Sequence, residues 1–131
     1  MTDLANTSTK PTIVVSDIDY RRLTDLAAAA HDRFRDVAEE LLAEMERARV
    51  VAAAAVPADV VRMGSAVEFR SDTGQQRRVT LVFPGEADIT ANKISVLTPI
   101  GAALIGLSTG QSITWIARDG RQHELTVLSV G

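Results

Sequence analysis

The spacing of the apolar residues changes at Pro57, and this change limits the folds that the chain can adopt. Before Pro57, apolar residues recur every three or four positions, as they do on one face of an α-helix. After Pro57 they alternate with polar residues, which is typical of strands with one buried face. A proline also disfavours a helical conformation at the residue before it. The sequence therefore predicts an α+β protein in which the helices come first, with a boundary near residues 52–58.

Two amphipathic helices are predicted before this boundary. Ser16 begins a helix-start pattern, S-x-x-D, with Asp19. Apolar residues then share one face of each helix, namely Leu23, Leu26, Ala27 and Ala30 in the first and Val37, Leu41, Met45 and Ala48 in the second. The acidic residues of the second helix, Glu44 among them, fall mostly off that face. Residues 12–55 therefore predict an antiparallel helical hairpin, a short coiled coil with arms of about 22 Å, after a flexible polar segment at residues 1–11.

Residues 56–131 are predicted to form a β-domain. Six short segments have the composition and alternation of strands, at residues 60–61, 67–69, 79–83, 94–96, 113–116 and 125–128. Turns that contain glycine separate most of them, and Asp119-Gly120 is typical of a tight hairpin.

A compact strand–turn–helix pattern occupies residues 93–106. Thr98 offers a side-chain oxygen to cap a helix, and Pro99 suits the first helical position. Gly106 supplies a left-handed helix stop. Because the segment contains no histidine and no carboxylate, we interpret it as a docking surface rather than a reaction centre. The predicted contact residues are Leu97, Thr98, Pro99, Ile100 and Gly101.

The charge and composition exclude several classes of protein. Residues 1–55 carry ten acidic and seven basic side chains, and residues 56–131 carry seven of each. This lack of a basic excess argues against direct binding to nucleic acid. The chain has no cysteine, which excludes disulfides and thiolate metal sites. Without a signal-peptide pattern or an apolar run of about 20 residues, we expect a cytoplasmic protein that does not contact a membrane.

No catalytic residue, metal site or cofactor site is predicted. The two histidines, His31 and His123, have no partner that the sequence indicates, so both are interpreted as ordinary exposed side chains. Trp115 is expected to pack in the core.

The chain resembles the Rnk family, the so-called regulators of nucleoside diphosphate kinase, which is related to the Gre transcript-cleavage factors. The resemblance rests on Arg47-Ala48 and on residues 11–19, 56–70 and 94–110. The last of these segments is the most specific and contains P-I-G-A-A-L-I-G-L-x-x-G. The resemblance implies that residues 56–131 form an FKBP-like antiparallel β-sheet domain with one short helix.

The same resemblance implies a partner and a mode of action. The β-domain would dock on the rim of the RNA polymerase secondary channel, against a coiled coil of the β′ subunit. The hairpin would point into or across that channel, and the protein would compete with Gre-type factors without cleaving the transcript. Nucleoside diphosphate kinase, or another cytosolic protein, is the alternative partner.

Two departures from the Gre pattern bear on this expectation. Gre factors usually place an acidic residue before Ser-Pro in the docking motif, whereas this chain has Leu97-Thr98-Pro99. The predicted hairpin tip consists of Asp32, Arg33, Phe34, Arg35 and Asp36. Metal-assisted cleavage needs clustered carboxylates that hold a hard cation, and the two arginines would partly neutralise the two aspartates. The aspartates are therefore a weakened metal-holding pair or, alternatively, residues that stabilise a helix N-terminus.

Overall fold

The computed structural model describes residues 10–131 of the 131-residue chain. Residues 1–9 of the predicted flexible segment 1–11 lie outside the described residues. Its last two residues, Lys10 and Pro11, both contact the second helix of the hairpin.

The predicted order of a helical hairpin, a β-domain and one short helix within that domain is confirmed. The elements are β1 (Val14–Ser16), α1 (Asp17–Ala30), α2 (Arg35–Arg47), β2 (Arg49–Val51), β3 (Ala66–Ser71), β4 (Gln76–Val82), β5 (Lys93–Ser95), α3 (Pro99–Leu104), β6 (Ser112–Ile116) and β7 (Gln122–Val130). Short 3-10 turns lie at Ala53–Ala55, Pro84–Glu86 and Ile89–Ala91.

The β-domain contains a five-stranded sheet in the order β5-β4-β3-β7-β6. Its pairs are antiparallel except for β4 and β5, which are parallel. Five of the six predicted strands are present. Residues 60–61 are the exception, because Val60 forms only an isolated bridge with Ser108.

A second, two-stranded sheet joins β1 and β2 in parallel, with Val14 opposite Arg49 and Ser16 opposite Val51. The sequence did not predict β2. β2 has only three residues, and its partner β1 precedes the two helices in the sequence. The two strands pair only after the hairpin has folded, so the residues around β2 show no strand pattern of their own.

The start of α1 is held by two contacts. The Ser16 hydroxyl accepts a hydrogen bond from the Asp19 N–H at 3.0 Å, as the predicted cap requires. The Asp19 carboxylate does not return to Ser16. It accepts a hydrogen bond from the Met63 N–H at 3.2 Å, in the loop before β3. The cap therefore also ties the hairpin to the β-domain.

One hydrophobic core joins the hairpin to the β-domain. The buried residues that it takes from the hairpin are Leu23, Ala27, Ala38, Leu41 and Met45, and those from the β-domain include Phe69, Leu81, Leu104, Ile113, Leu125 and Val127. The apolar face of the hairpin thus packs against the β-domain, so this face is not available to bind another molecule.

Glu44 corrects one expectation about α2. It lies on the buried face at 2% exposure rather than among the exposed acidic residues. Lys10 and Arg47 both contact its carboxylate, which compensates for the loss of water around the charge.

The start of α3 matches the predicted cap. The Thr98 hydroxyl accepts from the Gly101 N–H at 3.1 Å and donates to the Ser95 carbonyl at 2.7 Å. A Cβ at Gly101 would lie 2.2 Å from that same carbonyl oxygen, so only glycine permits this close approach. Gly106 has a φ of +82°, as expected of a left-handed helix stop.

Within residues 10–131, the structure has no helix with the length and apolar character that crossing a membrane requires.

Candidate partner-docking site

The predicted docking turn and the predicted hairpin tip line the same open groove. The groove has a volume of about 810 Å³ and lies between the start of α2, the turn before α3 and the turn that joins β6 to β7. The residues that line it are 33–37 and Glu40 from the hairpin, Leu97 and Pro99 from the docking turn, and 116–118 and Gly120 from the β6–β7 turn.

Two large apolar side chains make this groove a candidate protein-binding surface. Phe34 is 50% exposed and Ile116 is 45% exposed. Leu97 and Pro99 add apolar surface that is partly exposed. Apolar residues that cluster on an exposed concave surface mark sites where proteins associate.

The charged groups around the groove are three arginines, Arg33, Arg35 and Arg118, and two carboxylates, Asp36 and Glu40. None of these five side chains forms an ion pair with another residue in the described part of the chain. The Arg33 guanidinium lies 5.7 Å from the centre of the Phe34 ring. The groove therefore carries a small positive excess in a chain whose net charge is −3.

The two aspartates of the predicted tip have different positions. Asp36 lies in the first turn of α2, where a carboxylate interacts favourably with the helix dipole. Asp32 is exposed and does not line the groove. Across residues 10–131, the structure brings no three histidine, aspartate or glutamate side chains into a group that could hold a metal ion.

The five predicted docking residues have different roles in the structure. Leu97 and Pro99 open onto the groove. Thr98 caps α3, Ile100 packs against the core, and Gly101 is buried where α3 approaches the turn. The last three therefore shape the docking turn, and Leu97 and Pro99 supply its accessible apolar surface.

Comparison with known proteins identifies the family. Residues 11–51 match the family model described as the Rnk N-terminus, and residues 56–131 match the C-terminal model of the transcription elongation factors GreA and GreB. An Escherichia coli K12 protein named regulator of nucleoside diphosphate kinase is 37% identical over 122 residues, covering 92% of this chain and 90% of that protein. The chain belongs to the Rnk family.

The Rnk-family chain is also similar to Gre factors. GreA of Rhodospirillum rubrum is 37% identical over 95 residues, which is 71% of this chain and 60% of that protein. The solved structure of a GreA/GreB elongation factor from Nitrosomonas europaea is 34% identical, with a TM-score of 0.72 over 91% of this chain and 98% of that one. The chain is thus a Gre-related regulator in family and in fold.

Sequence reasoning missed the contribution of the β6–β7 turn to the groove of this Rnk-family chain. The sequence pattern predicts that Ile116 ends a strand and does not indicate that it contributes to the site. In β6, Ile113 faces the core and Ser112 and Thr114 face away from it, so Ile116 is an apolar residue on the polar side of an alternating strand. An apolar side chain in that position is the signal that could have indicated a contact surface.

Neither of the two histidines lines the groove. His31 Nε2 lies 3.0 Å from a carboxylate oxygen of Glu39 on the hairpin surface. His123 Nδ1 lies 3.4 Å from the Asp72 carboxylate, and its ring centre is 5.2 Å from that of Trp115. Each histidine is therefore partly exposed and lies beside one carboxylate.

Proposed function

We propose that this Rnk-family chain is a non-catalytic transcription regulator that binds RNA polymerase at the rim of the secondary channel, against the β′ coiled coil. In this proposal it acts in the cytoplasm and competes with Gre-type factors for that rim. The observation that carries the proposal is the accessible apolar surface of Leu97 and Pro99, at the predicted docking turn of a GreA/GreB-type C-terminal domain.

The two parts of the chain have separate tasks in this proposal. Residues 56–131 supply the docking turn, and residues 12–55 fill the space at the channel mouth. The arms of the hairpin have 14 and 13 residues and their apolar face is buried against the β-domain. A hairpin this short and this firmly packed supports action by occupancy, since it has little reach beyond the docking surface.

The hairpin tip supports the non-catalytic part of the proposal. Cleavage by a metal-assisted mechanism needs carboxylates that converge on a hard cation. Here Arg33 and Arg35 lie between Asp32 and Asp36 in the sequence, and Asp36 is the one aspartate of the two that lines the groove. A backtracked transcription complex tests this directly: transcript cleavage above the intrinsic rate of the polymerase would overturn the non-catalytic assignment.

A binding assay with core RNA polymerase tests the docking assignment. We expect the wild-type chain to bind at micromolar concentration and to be displaced by a Gre factor. The double variant Leu97→Asn/Pro99→Ala should bind about tenfold more weakly, because it removes apolar surface from the groove and loosens the turn. Absence of binding, or absence of competition with a Gre factor, would contradict the proposal.

Two controls separate docking from folding in this assay. The variant Ile89→Asn introduces the same polar side chain at an apolar residue that is 89% exposed and does not line the groove. It should bind as the wild type does. Because Leu97 also packs against the core, the single variant Pro99→Ala is measured as well, and the melting temperature of each variant is compared with that of the wild type.

A second candidate partner is nucleoside diphosphate kinase. It is favoured by the name of the Escherichia coli relative, regulator of nucleoside diphosphate kinase. The same binding assay with purified nucleoside diphosphate kinase distinguishes the two. Binding to the kinase that survives Leu97→Asn/Pro99→Ala, together with a change in its phosphotransfer rate, would favour this alternative.

A further inference from the structure

Phe34 is presented to the groove by a hydrogen-bonded turn. Its N–H donates to the Ala30 carbonyl at 2.8 Å, and its own carbonyl accepts from the Ala38 N–H at 2.8 Å. The ring therefore projects from a backbone whose hydrogen bonds are already made. Such an arrangement lowers the entropy lost when a partner covers the side chain.

Ile116 is held in a comparable way on the other wall of the groove. It is the last residue of β6 and pairs with Gln122 of β7. The turn that follows is closed by hydrogen bonds between Ala117 and Arg121 and between Ala117 and Gly120. Phe34 and Ile116 are thus two half-exposed apolar side chains on separate, hydrogen-bonded elements that line one groove.

The charges around Phe34 and Ile116 favour a partner surface of one sign. Arg33, Arg35 and Arg118 outnumber Asp36 and Glu40, whereas the chain as a whole is negative. An acidic partner surface would be attracted at the groove and repelled by the rest of the protein, which orients the encounter. A basic partner surface would be attracted to the negative remainder of the protein and repelled by the arginines at the groove.

From these observations we propose that the segment of the partner that enters the groove carries an apolar side chain flanked by carboxylates. Phe34 and Ile116 hold the apolar side chain, and Arg118 and Arg33 pair with the carboxylates. This inference rests on the proposed function, because it describes the polymerase surface that contacts the groove. It makes the hairpin tip a part of the docking site and not only a plug.

Matched pairs of variants test the inference with core RNA polymerase as the probe. Arg118→Glu is compared with Arg121→Glu, since both arginines belong to the β6–β7 hairpin and only Arg118 lines the groove. Phe34→Ser is compared with Ile89→Ser, both of which shorten exposed apolar side chains. We expect Arg118→Glu and Phe34→Ser to weaken binding about tenfold and each control to stay within about twofold.

Salt dependence provides a second readout that a folding defect would not mimic. Binding of the wild type should weaken as salt rises, and this dependence should be smaller for Arg118→Glu and unchanged for Arg121→Glu. Melting temperatures of all four variants are measured alongside.

The possible results separate the two proposals. If the wild type binds polymerase and all four variants bind equally well, the groove inference is wrong and the proposed function stands. Tighter binding by Arg118→Glu would mean that the partner surface is basic, which also overturns the inference. If the wild type does not bind polymerase at all, the proposed function fails and the inference fails with it.

Discussion

The carboxylate of Glu44 lies 2.7 Å from Nη2 of Arg47, on a face of α2 that is otherwise buried against the core. The Arg47 guanidinium also donates to the Pro11 carbonyl, and Lys10 Nζ lies 3.0 Å from the second oxygen of the Glu44 carboxylate. This network joins the end of α2 to the segment that leads into β1. It therefore holds the base of the hairpin against the two-stranded sheet.

Replacing Arg47 with methionine should destabilise the protein by about 1–3 kcal/mol, because it leaves a buried carboxylate with only one cationic partner. The value should lie below that of a fully buried pair, since Lys10 and Arg47 keep some contact with water. Urea denaturation measures the free energy of unfolding. Glu46→Gln, an exposed change in the same helix, serves as the control and should stay within about 0.5 kcal/mol of the wild type. Equal stability of Arg47→Met and wild type would show that the network contributes nothing.

Gly101→Ala should destabilise the protein by about 1–3 kcal/mol, because the new methyl group meets the Ser95 carbonyl and must displace backbone. The Cβ would lie only 2.2 Å from that oxygen. Gly85→Ala is the matched control, since nothing lies within 4 Å of the added Cβ and the backbone there has no left-handed φ. The control should be neutral or slightly stabilising. Thermal unfolding of both variants distinguishes the two sites, and a Gly101→Ala protein that melts with the wild type would refute the close-approach argument.

Thr98→Ala should cost about 1 kcal/mol, because the Gly101 N–H loses the hydroxyl that caps it. Thr98→Ser keeps the hydroxyl and should retain most of that stability. Amide hydrogen exchange at Gly101 gives a local readout, with faster exchange expected for alanine and near wild-type exchange for serine. If exchange at Gly101 is the same in all three proteins, the cap is not what holds the start of α3.

The pH dependence of stability should contain a contribution from Asp72. The Glu124 N–H donates a hydrogen bond to the Asp72 carboxylate, and this bond, with a smaller contribution from His123, lowers the pKa of Asp72 below its ordinary value of 3.8. Because the folded pKa lies below the unfolded one, the contribution is present above about pH 3.8 and is lost as the pH falls through the folded pKa.

Asp72→Asn tests this contribution. The stability difference between wild type and Asp72→Asn should be largest near neutral pH and should shrink as the solution is acidified below about pH 4. Urea denaturation over a pH series provides the measurement. Asp25→Asn, on the exposed side of α1, is the control. A difference between wild type and Asp72→Asn that is constant with pH would contradict the assignment.

Much of the local structure could be predicted because it depends on neighbouring residues. Ser16 and Thr98 each cap a helix within three positions of themselves, and Pro99 and Gly106 limit α3 at its two ends. The strands of the large sheet were visible as alternation, since each buries one face along its own length. Helical spacing also places Glu44 on the apolar face of α2, three positions after Leu41 and four before Ala48, so its burial is predictable from the sequence. The contact that compensates the buried charge is not, because Lys10 reaches Glu44 from a distant part of the chain.

The candidate site was predictable in its parts but not as a whole. The sequence predicts the docking turn and the hairpin tip separately, and it does not predict the contribution of the β6–β7 turn. The sequence by itself determined the helix caps, the strand pattern, the charge balance and the resemblance to the Rnk family. Only the tertiary structure decided that Phe34, Leu97 and Ile116 share one groove. Burial of the apolar face of the hairpin against α3 and the sheet brings these residues together, and such long-range packing leaves no mark on the spacing of residues along the chain.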